Sequence, residues 1–248
     1  MNKINVAEET IKLYAKQLKL PTFAQYTSII RRMDSNMGYE EFLIELMKKE
    51  IASRQENQQK RRIHKAGFPY LKTLDEFDYT RLKYVEQAFI WELATCEFIS
   101  KRQNVIMIGN TGTGKTHISI GLGLKACKEG YNVKFYTVAN LVTELTEAQE
   151  YKKLLRLEKQ LEKVDLLILD ELSYLCFNRN QADLLFRIIS DRSEKGSVIV
   201  STNLEFSRWT EMFDNTTMVA ALVDRLTFRS HVLNMNGESF RRDNSQIE

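Results

Sequence analysis

Gly109-Asn-Thr-Gly-Thr-Gly-Lys-Thr116 is the stretch that decides the fold of this 248-residue chain. It fits the pattern G-x-x-x-x-G-K-[ST], a loop whose backbone N–H groups surround the phosphates of a nucleotide. The apolar run 105–108 before it predicts a buried strand, and residues 118–128 after it predict a helix that ends at Gly130. A loop between a strand and a helix places an anion at the helix N-terminus. The stretch therefore predicts a nucleoside triphosphate site.

Each part of this loop has an expected role. The glycines let the backbone turn tightly, so that its N–H groups converge on an anion. Lys115 is expected to reach the β- and γ-phosphates, and the Thr116 hydroxyl is expected to face Mg²⁺. The alternative to a nucleotide site is an ordinary glycine-rich turn between a strand and a helix. Such a turn would have no need of the full consensus, so the complete motif favours the nucleotide site. We expect the whole loop to contact ATP: Gly109, Asn110, Thr111, Gly112, Thr113, Gly114, Lys115 and Thr116.

A second motif places two carboxylates after an apolar run. Residues 165–171 read Asp-Leu-Leu-Ile-Leu-Asp-Glu, which is typical of the Walker B strand of nucleotide hydrolases. Asp170 is expected to hold Mg²⁺, directly or through water. Glu171 is expected to polarise the attacking water as general base. A strand that ends in Asp-Glu is common on its own, but together with the loop it favours hydrolysis over phosphate transfer to a small molecule.

Three polar residues further along the chain are candidates for the same chemistry. Asn203 follows the next strand, where it could bind the γ-phosphate or orient the water. Asn is also a common turn residue, but its position here favours the functional role. Arg225 and Arg241 are candidates for the arginine that stabilises transition-state charge from a neighbouring subunit. Composition alone would place both arginines on the surface.

Predicted strands and helices alternate after residue 78. Such alternation predicts an α/β fold with a parallel sheet that is covered by helices on both faces. Residues 1–66 contain only helical patterns, two short ones over 5–37 and a longer one over 39–64. We therefore expect a small helical module at 1–66 and an ATPase domain at 67–248. The other predicted helices cover 84–100, 139–163 and 181–195, and the other predicted strands cover 132–137, 166–169 and 197–202.

The positive charge of the chain is concentrated in its first quarter. Residues 1–66 hold 13 Lys/Arg and 8 Asp/Glu, a net charge of +5, whereas the whole chain has a net charge of +3. This asymmetry predicts a polyanionic partner, although charge runs are often solvated surface. Next to an ATPase, the basic end of the long helix favours an electrostatic contact with phosphates. The candidate DNA-binding residues form two groups, one at the end of the long helix and one before the Walker B strand: Lys60, Arg61, Arg62 and Lys65, and Lys152, Lys153 and Arg156.

Composition argues against several classes of protein. The chain is 43% hydrophobic and 28% charged, as soluble globular proteins are. No apolar run approaches the roughly 18 residues that a membrane helix needs. Cys96, Cys127 and Cys176 are widely spaced and odd in number, which indicates neither a disulfide framework nor a metal site. We expect a cytoplasmic protein without a membrane segment.

The nucleotide motifs also resemble those of a known superfamily. The loop, Leu169-Asp-Glu171 and Ser201-Thr-Asn203 resemble an AAA+ ATPase. The tail from Ala221-Leu-Val-Asp-Arg-Leu226 to His231-Val-Leu-Asn-Met-Asn-Gly-Glu-Ser-Phe-Arg241 is similar to the IstB-like transposition helper proteins, relatives of DnaC-type helicase loaders. Residues 72–78 also resemble that family. The likeness covers roughly residues 66–242. One departure is Asn110-Thr111, where loops of the family often have a proline after the first glycine.

This resemblance implies a more specific function. It implies a helper ATPase that assembles on DNA as a homo-oligomer with ATP at the subunit interfaces and helps the transposase of the same element to choose a target site. It also implies that Arg225 is the arginine finger, Asn203 the first sensor and Arg241 the second sensor. Adenine is expected near residues 74–77, with Phe77 in contact with it.

Three other functions share some of these features. A replicative helicase loader would share every nucleotide-binding residue and would differ in the partner of residues 1–66. A GTP-dependent switch protein is disfavoured because the chain has no Asn-Lys-x-Asp element. A structural DNA-bending protein would use ATP only as a ligand. Substitution of Glu171 distinguishes it from an ATPase, because ATP binding would survive the substitution while turnover would not.

Overall fold

The computed structural model describes residues 6–31, 38–174, 177–193, 195–213, 215–237 and 239–240. The chain divides into two units, residues 1–61 and residues 62–248. Arg241 and Cys176 lie outside the described residues. In the described part of the chain, no helix combines the length and apolar character that crossing a membrane requires.

The larger unit is built on a parallel sheet of five strands, in the order β2-β3-β4-β1-β5. Every residue of β3 is buried, because helices cover both faces of the sheet. The α/β prediction is therefore confirmed. The strands are β1 (Asn104–Ile108), β2 (Val133–Thr137), β3 (Leu166–Asp170), β4 (Ser197–Thr202) and β5 (Ser230–Asn234).

Ten α-helices lie in the described residues. Three belong to the first part of the chain: α1 (Val6–Gln17), α2 (Thr27–Ile30) and α3 (Tyr39–Ala66). The others alternate with the strands: α4 (Gln87–Leu93), α5 (Glu97–Ser100), α6 (Lys115–Lys128), α7 (Val138–Glu150), α8 (Leu154–Leu161), α9 (Arg179–Arg192) and α10 (Thr216–Thr227).

Neighbouring residues of each strand point to opposite layers of the core. In β3, Leu166 and Ile168 pack with α6, whereas Leu167 and Leu169 pack with α7, α9 and α10. This division follows from the alternation of side chains along a strand. Because all five strands are parallel, their carboxyl ends meet at one edge of the sheet, which we call the carboxyl edge. The opposite edge is called the amino edge.

The predicted single helix over 139–163 is wrong. The structure has two helices, α7 and α8, separated by a turn at Lys152, whose φ is +56°. The Lys153 N–H donates to the Ala148 carbonyl at 2.7 Å, and the Lys152 N–H donates to the Gln149 carbonyl at 3.1 Å. These two bonds form a Schellman motif, a common helix ending that usually places glycine at the left-handed position. Here lysine takes that position.

A buried carboxylate in the first unit connects α3 to the segment around Thr22. Glu50 lies in α3 with 5% of its surface exposed, and its Oε2 accepts from the Thr22 N–H at 3.1 Å and from the Thr22 hydroxyl. Its Oε1 accepts from Arg54 Nε at 2.7 Å. Burial raises the pKa of Glu50, but the hydrogen bonds from Thr22 and Arg54 outweigh it and hold the pKa below its ordinary value. The carboxylate is therefore stabilised in its charged form.

Candidate nucleotide site

The phosphate loop lies at the carboxyl edge, between β1 and α6. Two of its glycines are required by close contacts. A Cβ on Gly109 would lie 2.3 Å from the Met235 carbonyl carbon, so the backbone of residue 235 would have to move. Gly114 has a φ of +89°, and a Cβ there would lie 2.3 Å from the Phe77 ring. The loop thus depends on glycine for its conformation and for its fit against two other segments.

Lys115 is held by the loop itself. Its Nζ donates to the carbonyl of Gly109 at 2.6 Å and to the carbonyl of Asn110 at 2.7 Å. The ammonium group therefore lies across the concave side of the loop. A phosphate oxygen is a stronger acceptor for this ammonium than a carbonyl oxygen, since the phosphate carries charge. Lys115 is placed to exchange these carbonyls for phosphate.

Asp170 joins the loop to two strands. It is buried at the end of β3, with 2% of its surface exposed. Its Oδ2 accepts from the Thr116 hydroxyl at 2.8 Å, and its Oδ1 accepts from the Ser201 hydroxyl. A hydroxyl and a carboxylate at this separation fit Mg²⁺, which prefers oxygen ligands. The described residues contain no group of three or more His, Cys, Asp or Glu side chains suited to a metal. Mg²⁺ commonly keeps water and phosphate oxygens as ligands, which would join those of Thr116 and Asp170 here.

Glu171 turns away from the strand that precedes it. Its φ is +61°, and its N–H donates to the Ser201 hydroxyl at 3.1 Å. Its side chain is exposed and lines the nucleotide cavity. The Ser201 hydroxyl thus contacts both Walker B residues. It bonds the side chain of Asp170 and the backbone N–H of Glu171. The sequence reasoning named Ser201 only as part of Ser-Thr-Asn and did not give it this role.

Asn203 lies beside Glu171 in the same cavity. Its carboxamide oxygen accepts from the Ser173 hydroxyl, and its N–H donates to the Ser173 oxygen at 3.1 Å. With its oxygen bonded to Ser173, the side chain offers its amide N–H groups to a phosphate or a water. Ser173 follows Glu171 by two residues, and no sequence motif indicated its contact with Asn203.

The cavity has a volume of about 600 Å³ and extends from the loop to an aromatic region. The Phe77 ring lies 5.1 Å from the Tyr79 ring and 5.2 Å from the His117 ring. On the other side, the Phe240 N–H donates to the Gly112 carbonyl at 3.0 Å. This aromatic region of the cavity is the candidate base site, since aromatic side chains can stack on a base. It contains residues that the sequence reasoning missed: Tyr70, Lys72, Arg81, His117 and Phe240.

The family model for IstB-like ATP-binding proteins matches residues 13–247. The chain belongs to this family. It is 34% identical over 243 residues to the ATP-binding protein of insertion sequence IS5376 from Geobacillus stearothermophilus, with 97% of each chain covered. It is 38% identical over 205 residues to the ATP-binding protein of insertion sequence IS21 from Pseudomonas aeruginosa, covering 83% of this chain and 77% of that one.

The fold is also similar to solved structures of the AAA+ class. A crystal structure of DnaI superposes with a TM-score of 0.56 and 15% sequence identity, covering 66% of this chain and 90% of the other. At this identity the likeness shows the fold alone. The family match confirms the IstB-like family of ATP-binding proteins, and this likeness confirms the P-loop fold, as the resemblance in the sequence implied.

Arg225 lies away from the phosphate loop of its own chain. It is in the last turn of α10, where its Nη1 donates to the Ala221 carbonyl at 3.1 Å and its guanidinium lies 5.0 Å from the Phe186 ring. It lines a separate cavity with Arg102 and Arg229. The segments around this cavity precede β1 and β5, which puts it at the amino edge. Thus the structure brings together the expected loop, Walker B and Asn203 residues, but it does not bring Arg225 to them.

The candidate DNA-binding residues have different surroundings. Lys60 is paired with Glu56 at 2.6 Å, and Arg61 is exposed. Arg62 is half-buried, and its Nε donates to the Cys127 carbonyl at 2.8 Å. Part of its guanidinium is therefore used in a contact within the larger unit, to which both Arg62 and Cys127 belong. The remaining candidates have exposed side chains, in α3 and around the turn between α7 and α8: Lys65, Lys152, Lys153 and Arg156.

Proposed function

We propose that this chain is an ATP-dependent helper of DNA transposition. It assembles on double-stranded DNA as a homo-oligomer, hydrolyses ATP between its subunits with Mg²⁺, and assists the transposase of the same element in choosing a target site. Two relatives that are ATP-binding proteins of insertion sequences support the link to transposition. The exposed basic residues at the α7–α8 turn support the contact with DNA.

The observation that carries the proposal is the separation of two halves of a catalytic site. Lys115 and Asp170 lie at the carboxyl edge, whereas Arg225 lies at the amino edge, beside the start of β1. β1 has five residues, and a strand of that length spans roughly 13 Å. Arg225 cannot bridge this distance to its own loop. Hydrolysis with an arginine finger therefore needs a second copy of the chain.

The residues of one copy prepare the nucleotide for attack. The loop N–H groups and Lys115 bind the phosphates and orient them. Thr116 and Asp170 would hold Mg²⁺, which would supply positive charge to neutralise the phosphate oxygens. Asn203 donates an N–H to the attacking water or to the γ-phosphate. Glu171 accepts a proton from that water as the water oxygen bonds to the γ-phosphorus. The bond between the γ-phosphorus and the bridging oxygen breaks, and ADP leaves with its electron pair.

The second copy supplies the remaining charge. The guanidinium of its Arg225 binds the oxygens of the γ-phosphoryl group, where negative charge lies in the transition state. An arginine supplied in trans can be worth about 10³–10⁵ in rate. An isolated subunit should therefore be a poor ATPase. DNA that brings copies side by side should stimulate hydrolysis, which would couple ATP turnover to assembly at the target.

A mixing experiment tests this proposal. Arg225→Ala should bind ATP as a single subunit but lose hydrolysis, and Lys115→Ala should lose ATP binding. When the two variants are mixed on duplex DNA, some interfaces combine an intact loop with an intact Arg225, so ATPase activity should partly return. The proposal fails if Arg225→Ala alone is fully active, or if the two variants assemble together and the mixture stays inactive.

A further inference from the structure

The cavity at the amino edge contains more positive charge than one arginine finger. It has a volume of about 230 Å³, and Arg102, Arg225 and Arg229 all line it. The three come from different segments. Arg225 ends α10, Arg229 lies in the turn before β5, and Arg102 lies in the turn before β1. No carboxylate is among the described residues that line this cavity.

A buried asparagine holds these segments together. Asn104 has 7% of its surface exposed. Its Nδ2 donates to the carbonyl of Leu226, the residue after Arg225, at 3.0 Å, and its N–H donates to the Arg229 carbonyl at 3.0 Å. Its Oδ1 accepts from the Val198 N–H at 3.0 Å. Asn104 thus fixes the backbones of both arginines to the first residue of β1. A charge cluster that is held in place in this way loses little energy to reorganisation when an anion binds.

We infer that Arg229 is a second catalytic arginine, which binds the terminal phosphates of ATP held on the loop of an adjacent copy, together with Arg225. This inference rests on the proposed function, because it places the nucleotide of another copy against the amino edge. Arg229 is exposed, and its guanidinium lies 5.3 Å from the exposed Phe228 ring. Arg225 is half-buried against Phe186, so Arg229 is the more accessible of the two.

The chemistry of the cavity favours a terminal phosphate. A guanidinium presents planar pairs of N–H donors that match two oxygens of a phosphate group. Two such groups from one side can bind different oxygens of a γ-phosphoryl group, or one β- and one γ-oxygen. Duplex DNA presents its phosphates along a continuous backbone, which a recessed cavity of this size admits poorly. The adjacent nucleotide is therefore the favoured ligand, and DNA is the outcome that would contradict it.

Arg229→Ala is the first test variant, in the full chain with duplex DNA and Mg²⁺·ATP. We expect kcat to fall by about 10- to 100-fold, since a charged hydrogen bond to the transition state is lost. ATP binding by the single subunit should be unchanged, because its own loop is untouched. Arg229→Lys should restore kcat only in part, since lysine lacks the planar pair of donors. Arg208→Ala is the control, because Arg208 is exposed and paired with Glu211 at 2.8 Å.

Mixing experiments then separate the two proposals. Arg229→Ala mixed with Lys115→Ala should regain ATPase activity, as expected for a residue that acts on the nucleotide of another copy. If Arg225→Ala is inactive and Arg229→Ala keeps wild-type kcat, the role of Arg229 is wrong and the proposed function stands. If both variants keep wild-type kcat, both proposals fail. If Arg229→Ala only lowers the salt dependence of DNA binding, its ligand is DNA and this inference is overturned.

Discussion

Thr116 and Asp170 contact each other directly, the hydroxyl donating to the carboxylate Oδ2 at 2.8 Å. Thr116 lies at the start of α6, and Asp170 lies at the end of β3, 54 residues later in the sequence. The contact joins the two nucleotide motifs into one site. It also places a hydroxyl oxygen and a carboxylate oxygen where a hard cation between them would replace a hydrogen bond.

Replacing Thr116 with valine tests this metal role. Thr116→Val keeps the shape of the side chain and removes the hydroxyl. We expect ATP affinity with Mg²⁺ to fall by about tenfold, while affinity in EDTA changes little, since the loop and Lys115 remain. Titration of a fluorescent ATP analogue with and without Mg²⁺ measures both. Thr146→Val in α7, whose hydroxyl bonds the Val142 carbonyl at 2.8 Å, is the control. An equal loss in both conditions would assign Thr116 to the phosphates instead of the metal.

Ser201→Ala should reduce turnover more than binding. Ser201 contacts Asp170 through its hydroxyl and anchors the Glu171 N–H at 3.1 Å, so its loss frees the segment that carries the general base. We expect kcat to fall by about tenfold with little change in KM, as for an interaction that orients the transition state. Steady-state ATPase assays at saturating DNA measure this.

The matched control for Ser201 is a serine of the same core. Ser190 in α9 has a buried hydroxyl without a hydrogen-bond partner among the described residues, so Ser190→Ala should leave both constants unchanged. A Ser201→Ala variant with wild-type kcat would show that Glu171 is positioned by its own left-handed backbone alone.

The sheet was predictable from sequence where its strands are buried on both faces. β3 and β4 each contain a run of apolar residues, 166–169 and 198–200, and the predicted strands 166–169 and 197–202 lie on them. β5 was not predicted as a strand. It is an edge strand in which only Leu233 is buried, so its sequence, Ser-His-Val-Leu-Asn, lacks a clear apolar pattern. Its position is set by pairing with β1, which no local pattern reports.

Two breaks inside predicted helices were missed for a related reason. Cys96, between α4 and α5, and Lys152, between α7 and α8, both adopt left-handed backbone conformations, as Gly130 does after α6. Gly130 was recognised in the sequence because glycine favours that conformation. A cysteine or lysine carries no such signal, and tertiary contacts decide where the helix ends. The same limit applies to the site, since Ser173 and Ser201 are ordinary residues until the sheet brings them beside Asn203 and Glu171.

The basic turn between α7 and α8 should contribute to the salt dependence of DNA binding. A triple variant, Lys152→Gly, Lys153→Ala and Arg156→Ala, removes three charges, and glycine at 152 keeps the left-handed turn. Each lost phosphate contact should lower the slope of log K against log salt by about 0.9. Fluorescence anisotropy with duplex DNA at several salt concentrations measures the slope.

The second basic group calls for a different variant. Lys60→Ala with Arg61→Ala tests α3 and leaves Arg62 intact, because Arg62 bonds the Cys127 carbonyl and its loss would also perturb packing. Lys101→Ala is the control, since Lys101 is exposed and paired with Glu97 at 2.7 Å. A group whose loss leaves the slope at the wild-type value is solvated surface and does not bind DNA.

Glu50 should make the stability of the first unit depend on pH. Its pKa in the folded state lies below its ordinary value of 4.5, because the hydrogen bonds from Thr22 and Arg54 outweigh the opposing effect of burial. A carboxylate of this kind stabilises the folded state above its ordinary pKa, and this contribution is lost as the pH falls through the folded pKa. We expect hydrogen-exchange protection of residues 20–31 and 38–55 to fall as the pH is lowered from about 5 toward 3.

Glu50→Gln should lower protection at neutral pH and flatten the dependence on pH in that window, since the amide cannot carry the charge. Glu45→Gln changes an exposed glutamate of the same helix, paired with Lys48 at 2.8 Å, and should keep the wild-type profile. If Glu50→Gln and Glu45→Gln give the same profile, the buried contact to Thr22 does not control the acid stability of this unit.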